Sequence, residues 1–191
     1  VIADLLEERR ADFGVVVLDP VMVATSGDKL LQDEAIAVVR ERLMPLADVI
    51  TPNVPEAAVL LGTSPATDDN GVIAQAKALV AAGARAALVK GGHLSDDRVT
   101  DAFATADGVA ILSGPRIESR HTHGTGCTLS SAIAACAARH GDTIRTGIRV
   151  ASVEQARDYL MRAIESGSHW RLSRTPERGH GPVDHFVAGL S

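Results

Sequence analysis

The sequence predicts an α/β domain, a doubly wound sheet with helices on both faces, and three observations point there. Short continuous apolar runs at 14–19 (GVVVLD), 47–51 (ADVIT) and 86–90 (AALVK) have the character of strands covered on both sides. Between them lie longer stretches with helical apolar spacing. Each run leads into glycine-, proline- or polar-rich residues at its carboxyl end, where open α/β sheets bind their ligands. Alternation of this kind implies right-handed crossovers and a largely parallel sheet.

In chain order, Ile2, Leu5 and Leu6 set against Asp4, Glu7, Glu8, Arg9 and Arg10 form an amphipathic opening segment. The strand at 14–19 precedes a helix over 32–43, and the strand at 47–51 precedes a helix over 55–61 that stops at Gly62. Turn-rich residues 64–71 lead to a helix over 72–82 ending at Gly83, and the strand at 86–90 ends at Gly91 and Gly92. Residues 99–105 and 108–112 read as a hairpin turning at Ala106-Asp107-Gly108; being less apolar, they are expected at a sheet edge. A glycine-containing loop at 123–126 opens a helix through Ala138, a last helix spans 153–165, and residues from Gly167 onward read as loop. With no internal repeat or linker, residues 1–191 are expected to be part of one domain.

Composition narrows the function classes. A hydrophobic content of 46% with 23% charged residues supports a buried core and not disorder. The net charge of −5, without a dense Lys/Arg run, argues against nucleic acid or an anionic membrane as the main partner. A polyanionic ligand must then be held locally. No apolar stretch reaches the roughly 20 residues that span a bilayer, and the cytoplasm is the expected location. Cys127 and Cys136 lie on one helical stretch about 14 Å apart along its axis, too far to bond, and read as reduced thiols. The histidines show no HExxH or Cys-His ligand spacing, which disfavours a structural zinc site. The absence of GxxxxGK[ST], and of GxGxxG behind a first strand, disfavours a Walker-type ATPase or a dehydrogenase.

The strongest local signal is His123-Gly124-Thr125-Gly126-Cys127-Thr128, two glycines and two hydroxyls at a helix start. First-turn amides carry no intrahelical partner and the helix end carries about half a positive charge, so the segment suits an anionic oxygen. An ordinary glycine-rich N-cap is the plainer reading. A thiol at a helix N-terminus is readily ionised, so Cys127 is a candidate to take a proton from a substrate hydroxyl, whereas Cys136 reads as inert packing. In Thr51-Pro52-Asn53-Val54-Pro55-Glu56, Asn53 and Glu56 project from one side of a helix start, either as a capping box or as a carboxylate holding Mg²⁺ through water. Asp19 ends the first strand before Pro20 and would serve the metal or a phosphate, or else satisfy loop amides. Lys90 would reach a phosphate while Gly91 and Gly92 allow a tight strand exit; a solvated lysine is the plain alternative.

Taken together, Val17-Leu18-Asp19-Pro20-Val21-Met22-Val23-Ala24, Ser26-Gly27-Asp28, Thr51-Pro52-Asn53 with Glu56-Ala57, Val89-Lys90-Gly91-Gly92-His93 and the run from His123 to Ala132 resemble the hydroxymethylpyrimidine/phosphomethylpyrimidine kinases of thiamine biosynthesis, in order and in spacing. Gly179-His180-Gly181-Pro182-Val183 resembles that family's closing segment. The resemblance implies a ribokinase-like three-layer αβα sandwich with a mainly parallel central sheet, and an enzyme that uses ATP and Mg²⁺ to phosphorylate the hydroxymethyl group of an aminopyrimidine and then the phosphate so formed. It implies an anion hole from Gly124, Thr125, Gly126 and Cys127, with Cys127 where many relatives carry an aspartate base. It places Asn53 and Glu56 at a Mg²⁺-associated motif, Asp19 near metal and phosphates, and Lys90 with Gly91 near the ATP phosphates.

The family's glycine-rich opening segment and N-terminal strands, which supply much of the pyrimidine pocket, have no counterpart here, so the native protein is expected to be longer or to cover the exposed face by association, as a homo-oligomer such as a dimer. Pyridoxal kinase is the near competitor, since its members share the anion-hole pattern. A non-catalytic nucleotide- or pyrimidine-binding fragment is the distant one.

Overall fold

A computed structural model describes residues 1–22, 30–92, 97–171 and 181–187. Of the residues singled out above, Val23, Ala24, Ser26, Gly27, Asp28, His93, Gly179 and His180 lie outside the described residues.

The three apolar runs form β1 (Val17–Leu18), β2 (Val49–Ile50) and β3 (Ala86–Val89), and the hairpin forms β4 (Arg98–Thr105) and β5 (Gly108–Pro115). Their order in the sheet is β1-β2-β3-β4-β5; β1, β2 and β3 run parallel, and the hairpin joins antiparallel with β5 at the edge. The regular pairing of β1 and β2 is shorter than the apolar runs, but hydrogen bonds from Asp48 N to Val16 O (2.8 Å) and from Thr51 N to Leu18 O (2.9 Å) extend it at both ends.

The opening segment is α1 (Ile2–Arg9). The helix expected over 32–43 starts as α2 (Asp33–Val38), continues through a π-helical turn (Val39–Leu43) and finishes as the short α3 (Met44–Leu46). Pro45 accounts for the irregularity, because it offers no amide to the helical ladder and its ring crowds the carbonyl one turn back. Helix α4 (Val54–Leu61) stops at Gly62 in the left-handed conformation. Helix α5 (Asp69–Ala81) begins earlier than the apolar pattern indicates, because the Asp68 side chain caps it by accepting from Gly71 N at 2.7 Å. Helices α6 (Thr125–His140) and α7 (Val150–Gly167) complete the set, both longer than their apolar cores.

Side chains alternate along the strands into two separate cores. Ile50, Ala87, Val89, Ala102 and Ala104 meet Ile36, Val54, Ala57, Leu60, Val72 and Leu79 from α2, α4 and α5. Val49, Ala86, Leu88 and Phe103 meet Leu129, Ile133, Cys136, Val153 and Ala156 from α6 and α7. Helices therefore cover both faces and the layers number three, as an interior sheet with period-2 alternation requires. The joint between α6 and α7 is polar and centred on buried Asp142 and Ser152: Asp142 accepts from Ser152 Oγ (2.6 Å), from Arg149 N (3.1 Å) and from the Arg149 guanidinium, and His140 Nδ1 lies 2.9 Å from Ser152 Oγ. Burial pushes the Asp142 carboxyl up, but these hydrogen bonds outweigh it and hold the group below the usual carboxylate range.

Val183 and Asp184, near the end of the described residues, are docked against α7. Val183 is fully buried, Asp184 N donates to Ala163 O (2.9 Å), and Ser166 Oγ donates to Asp184 Oδ2 (2.7 Å). No described helix is long and apolar enough to cross a membrane.

Candidate active site

Parallel strands in register bring their carboxyl ends to one line, and three of those ends supply the centre of the site. Asp19 follows β1, Thr51 follows β2 and Lys90 follows β3. Lys90 is tied laterally to the turn after β2 by its amide, which donates to Pro52 O at 2.9 Å. The Lys90 ammonium donates to Asp19 Oδ1 at 3.0 Å, and the Thr51 hydroxyl donates to the same oxygen at 2.9 Å. With the Lys90 and Asp19 side chains only 17% and 13% exposed, the pair is partly screened from water and stronger than a surface ion pair.

Helix α6 points its N-terminus at this pair. Gly124 takes φ 81°, a left-handed turn open to glycine, and the ladder begins with Thr128 N donating to Gly124 O at 2.8 Å. Gly126 and Cys127 thus fall in the first turn, where amides have no intrahelical acceptor. A Cβ at Gly126 would stand 3.4 Å from both Asp19 Oδ2 and Lys90 Nζ, so the start of α6 and the two charged side chains form one cradle. The absent side chain leaves space for a phosphate oxygen. The Cys127 thiol is exposed; Cys136 is buried in the α6 core, where burial pushes its thiol up, in keeping with packing alone.

Asn53 and Glu56 form the capping box of α4: Asn53 Oδ1 accepts from Glu56 N, and Glu56 Oε2 accepts from Asn53 N, both at 2.8 Å. The other Glu56 oxygen accepts from Met22 N at 3.4 Å, linking the segment after β1 to the start of α4. Burial raises the Glu56 carboxyl above its usual range, against the pull of the Asn53 amide, the Lys90 charge and the Met22 amide; the nearby Asp19 charge adds to the rise. Glu56 is therefore within electrostatic reach of both Asp19 and Lys90, while its hydrogen bonds are those of the capping box.

Gly91 stands apart. Its amide donates to Asp101 Oδ1 at 2.9 Å, and a Cβ there would lie 1.9 Å from Thr100 O, so its glycine identity serves the close β3–β4 crossing. Asp101 is itself held by Arg157 Nε from α7 at 2.9 Å. The loop before α6 is held from the C-terminal side: Gly181 N donates to His121 Nδ1 at 3.0 Å, and His123 N donates to Gly181 O at 3.2 Å. Asp19 and Lys90 are hydrogen-bonded to each other, and Gly126 lies beside both. Thr51 and Gly181 fall inside motif blocks without a role of their own there, and Asp101 in β4 and Arg157 in α7 belong to no motif; the contacts these four make join segments far apart in the chain.

The family model for phosphomethylpyrimidine kinase matches residues 1–184. The hydroxymethylpyrimidine/phosphomethylpyrimidine kinase of Rhizobium meliloti is 46% identical over 170 residues, covering 89% of this chain and 60% of its own length. The Escherichia coli enzyme of the same name is 43% identical over 175 residues, covering 91% and 61%. Among solved structures, an ADP complex of Bacillus subtilis pyridoxal kinase superposes with a TM-score of 0.79 at 28% identity, covering 97% of this chain and 64% of that one. The fold is the ribokinase-like one these enzymes share, and the chain spans about three fifths of the length of the curated relatives. By family match, by identity and by fold, the chain belongs to the phosphomethylpyrimidine kinase family.

Proposed function

We propose that the protein to which this chain belongs transfers a phosphoryl group from Mg-ATP to the hydroxymethyl group of 4-amino-5-hydroxymethyl-2-methylpyrimidine, and then to the resulting monophosphate. The observation that carries this reading is the Asp19–Lys90 pair set against Gly126 at the N-terminus of α6. Phosphoryl transfer asks mainly for alignment and for neutralisation of charge spreading over the transferred group. Lys90 and the first-turn amides of Gly126 and Cys127 supply positive potential for it, with Gly124 and Thr125 setting the turn. Asp19 and Glu56 offer hard carboxylate oxygens at one side of the cradle and suit Mg²⁺ held partly through water, with Asn53 fixing the Glu56 carboxylate. Mg²⁺ there would neutralise phosphate charge and orient the donor. Cys127 Sγ, exposed at the start of α6, would take the proton of the attacking hydroxyl as that oxygen bonds to the γ-phosphorus and the bond from the γ-phosphorus to the ADP oxygen breaks, releasing ADP.

The family model over residues 1–184 and the relatives at 43–46% identity are all named for the pyrimidine, which favours the pyrimidine substrate. The test is turnover of native-length protein with Mg-ATP and hydroxymethylpyrimidine beside a pyridoxal control. Both pyrimidine phosphates are expected, with Cys127→Ala lowering kcat about 10²–10⁴-fold. Phosphorylation of pyridoxal alone would overturn the substrate, and full activity of Cys127→Ala would remove its role as base.

A further inference from the structure

Thr51 has no part in the roles assigned above, yet its hydroxyl makes a specific bond at the centre of the site. The residue is fully buried and its Oγ1 donates to Asp19 Oδ1 at 2.9 Å. Lys90 Nζ donates to that same oxygen at 3.0 Å, while Oδ2 lies toward Gly126. The two donors differ in what they can do next. A lysine ammonium on its flexible stem can turn its three donors toward a phosphate arriving at Gly126, which competes directly with Asp19 for it. The Thr51 hydroxyl is on a short, χ1-restricted side chain, and its backbone amide is fixed to Leu18 O at 2.9 Å, one residue before Asp19. It cannot leave.

We propose that Thr51 is the positioning residue that keeps Asp19 oriented, Oδ2 toward the cradle, once the phosphate draws Lys90 away. The role rests on the kinase reading. It makes the Lys90–Asp19 ion pair a resting-state contact that is exchanged on binding, and the Thr51–Asp19 hydrogen bond the one that persists.

The experiment compares Thr51→Val, which keeps shape and burial but removes the donor, with Thr51→Ser, which keeps the donor, both in native-length protein. The expected result for Thr51→Val is a kcat lowered about 10–100-fold, the effect of losing a residue that orients a ligand-binding group. The Mg²⁺ concentration for half-maximal rate should rise, with KM for the pyrimidine unchanged, and Thr51→Ser should restore most of both. Calorimetric titration with Mg-ADP gives a readout apart from turnover: Thr51→Val should weaken Mg-ADP binding about 10-fold or more and leave metal-free ADP binding unchanged. In an Asp19→Ala background Thr51→Val should have no further effect. Wild-type kinetics and Mg-ADP affinity in Thr51→Val would overturn the proposal, as would additive losses in the double variant. Should Thr51→Val fail to fold by circular dichroism, Thr51→Ala takes its place under the same criteria. Wild-type protein without pyrimidine turnover would instead sink the kinase reading.

Discussion

Gly126 is the second residue of α6, where glycine has more backbone freedom to lose than alanine, though at a helix end the difference is smaller than in an interior. Its added Cβ would make ordinary contacts at 3.4 Å with Asp19 Oδ2 and Lys90 Nζ, so the ligand-free fold accepts it. The same methyl group would stand in the cradle. Gly126→Ala should therefore raise or preserve the melting temperature while lowering kcat/KM about 100-fold, as expected for displacing a group from preorganised donors. Thermal unfolding beside steady-state turnover checks both halves, and a variant that loses stability and activity together would contradict the account.

At the scale of elements, the joint between α6 and α7 depends on one buried carboxylate. Asp142 is held below its usual range, so it contributes stability above the unfolded value of about 3.8 that is lost as pH falls through the lower folded value. Asp142→Asn should cost about 1–3 kcal/mol at pH 7, with the difference from wild type shrinking as pH falls below that range. Urea unfolding at both ends of the range reads it. Elements built by local chemistry were legible in the sequence: Gly62 stops α4, the Asn53/Glu56 spacing starts it, and Asp107-Gly108 turns the hairpin. The early start of α5 was missed because Asp68 sits among turn residues that also suit a loop, and the π turn before Pro45 has no signature in apolar periodicity. The site divides likewise. Asp19, Lys90 and Gly126 each end a strand or open a helix. The Thr51–Asp19, Arg157–Asp101 and Gly181–His121 bonds join residues 32, 56 and 60 positions apart, which no local spacing encodes.

For the whole molecule, strands whose side chains alternate into two cores make the two helical layers depend on one sheet. Leu79→Ala in one core and Ile133→Ala in the other should each cost about 2–5 kcal/mol. Both should unfold in a single transition seen equally by far-ultraviolet circular dichroism and by denaturant midpoint; loss of one layer alone would show that the sheet does not couple them. The docked C-terminal residues set a further condition. The loop before α6 exchanges two hydrogen bonds with Gly181, 60 residues after His121, so that loop is synthesised well before the residue that ties it down. At about 5–20 residues per second this interval is roughly 3–12 s. By the end of that interval the nascent chain carries all five strands and α6, and the loop that leads into α6 gains its Gly181 hydrogen bonds only once that residue has emerged from the ribosome.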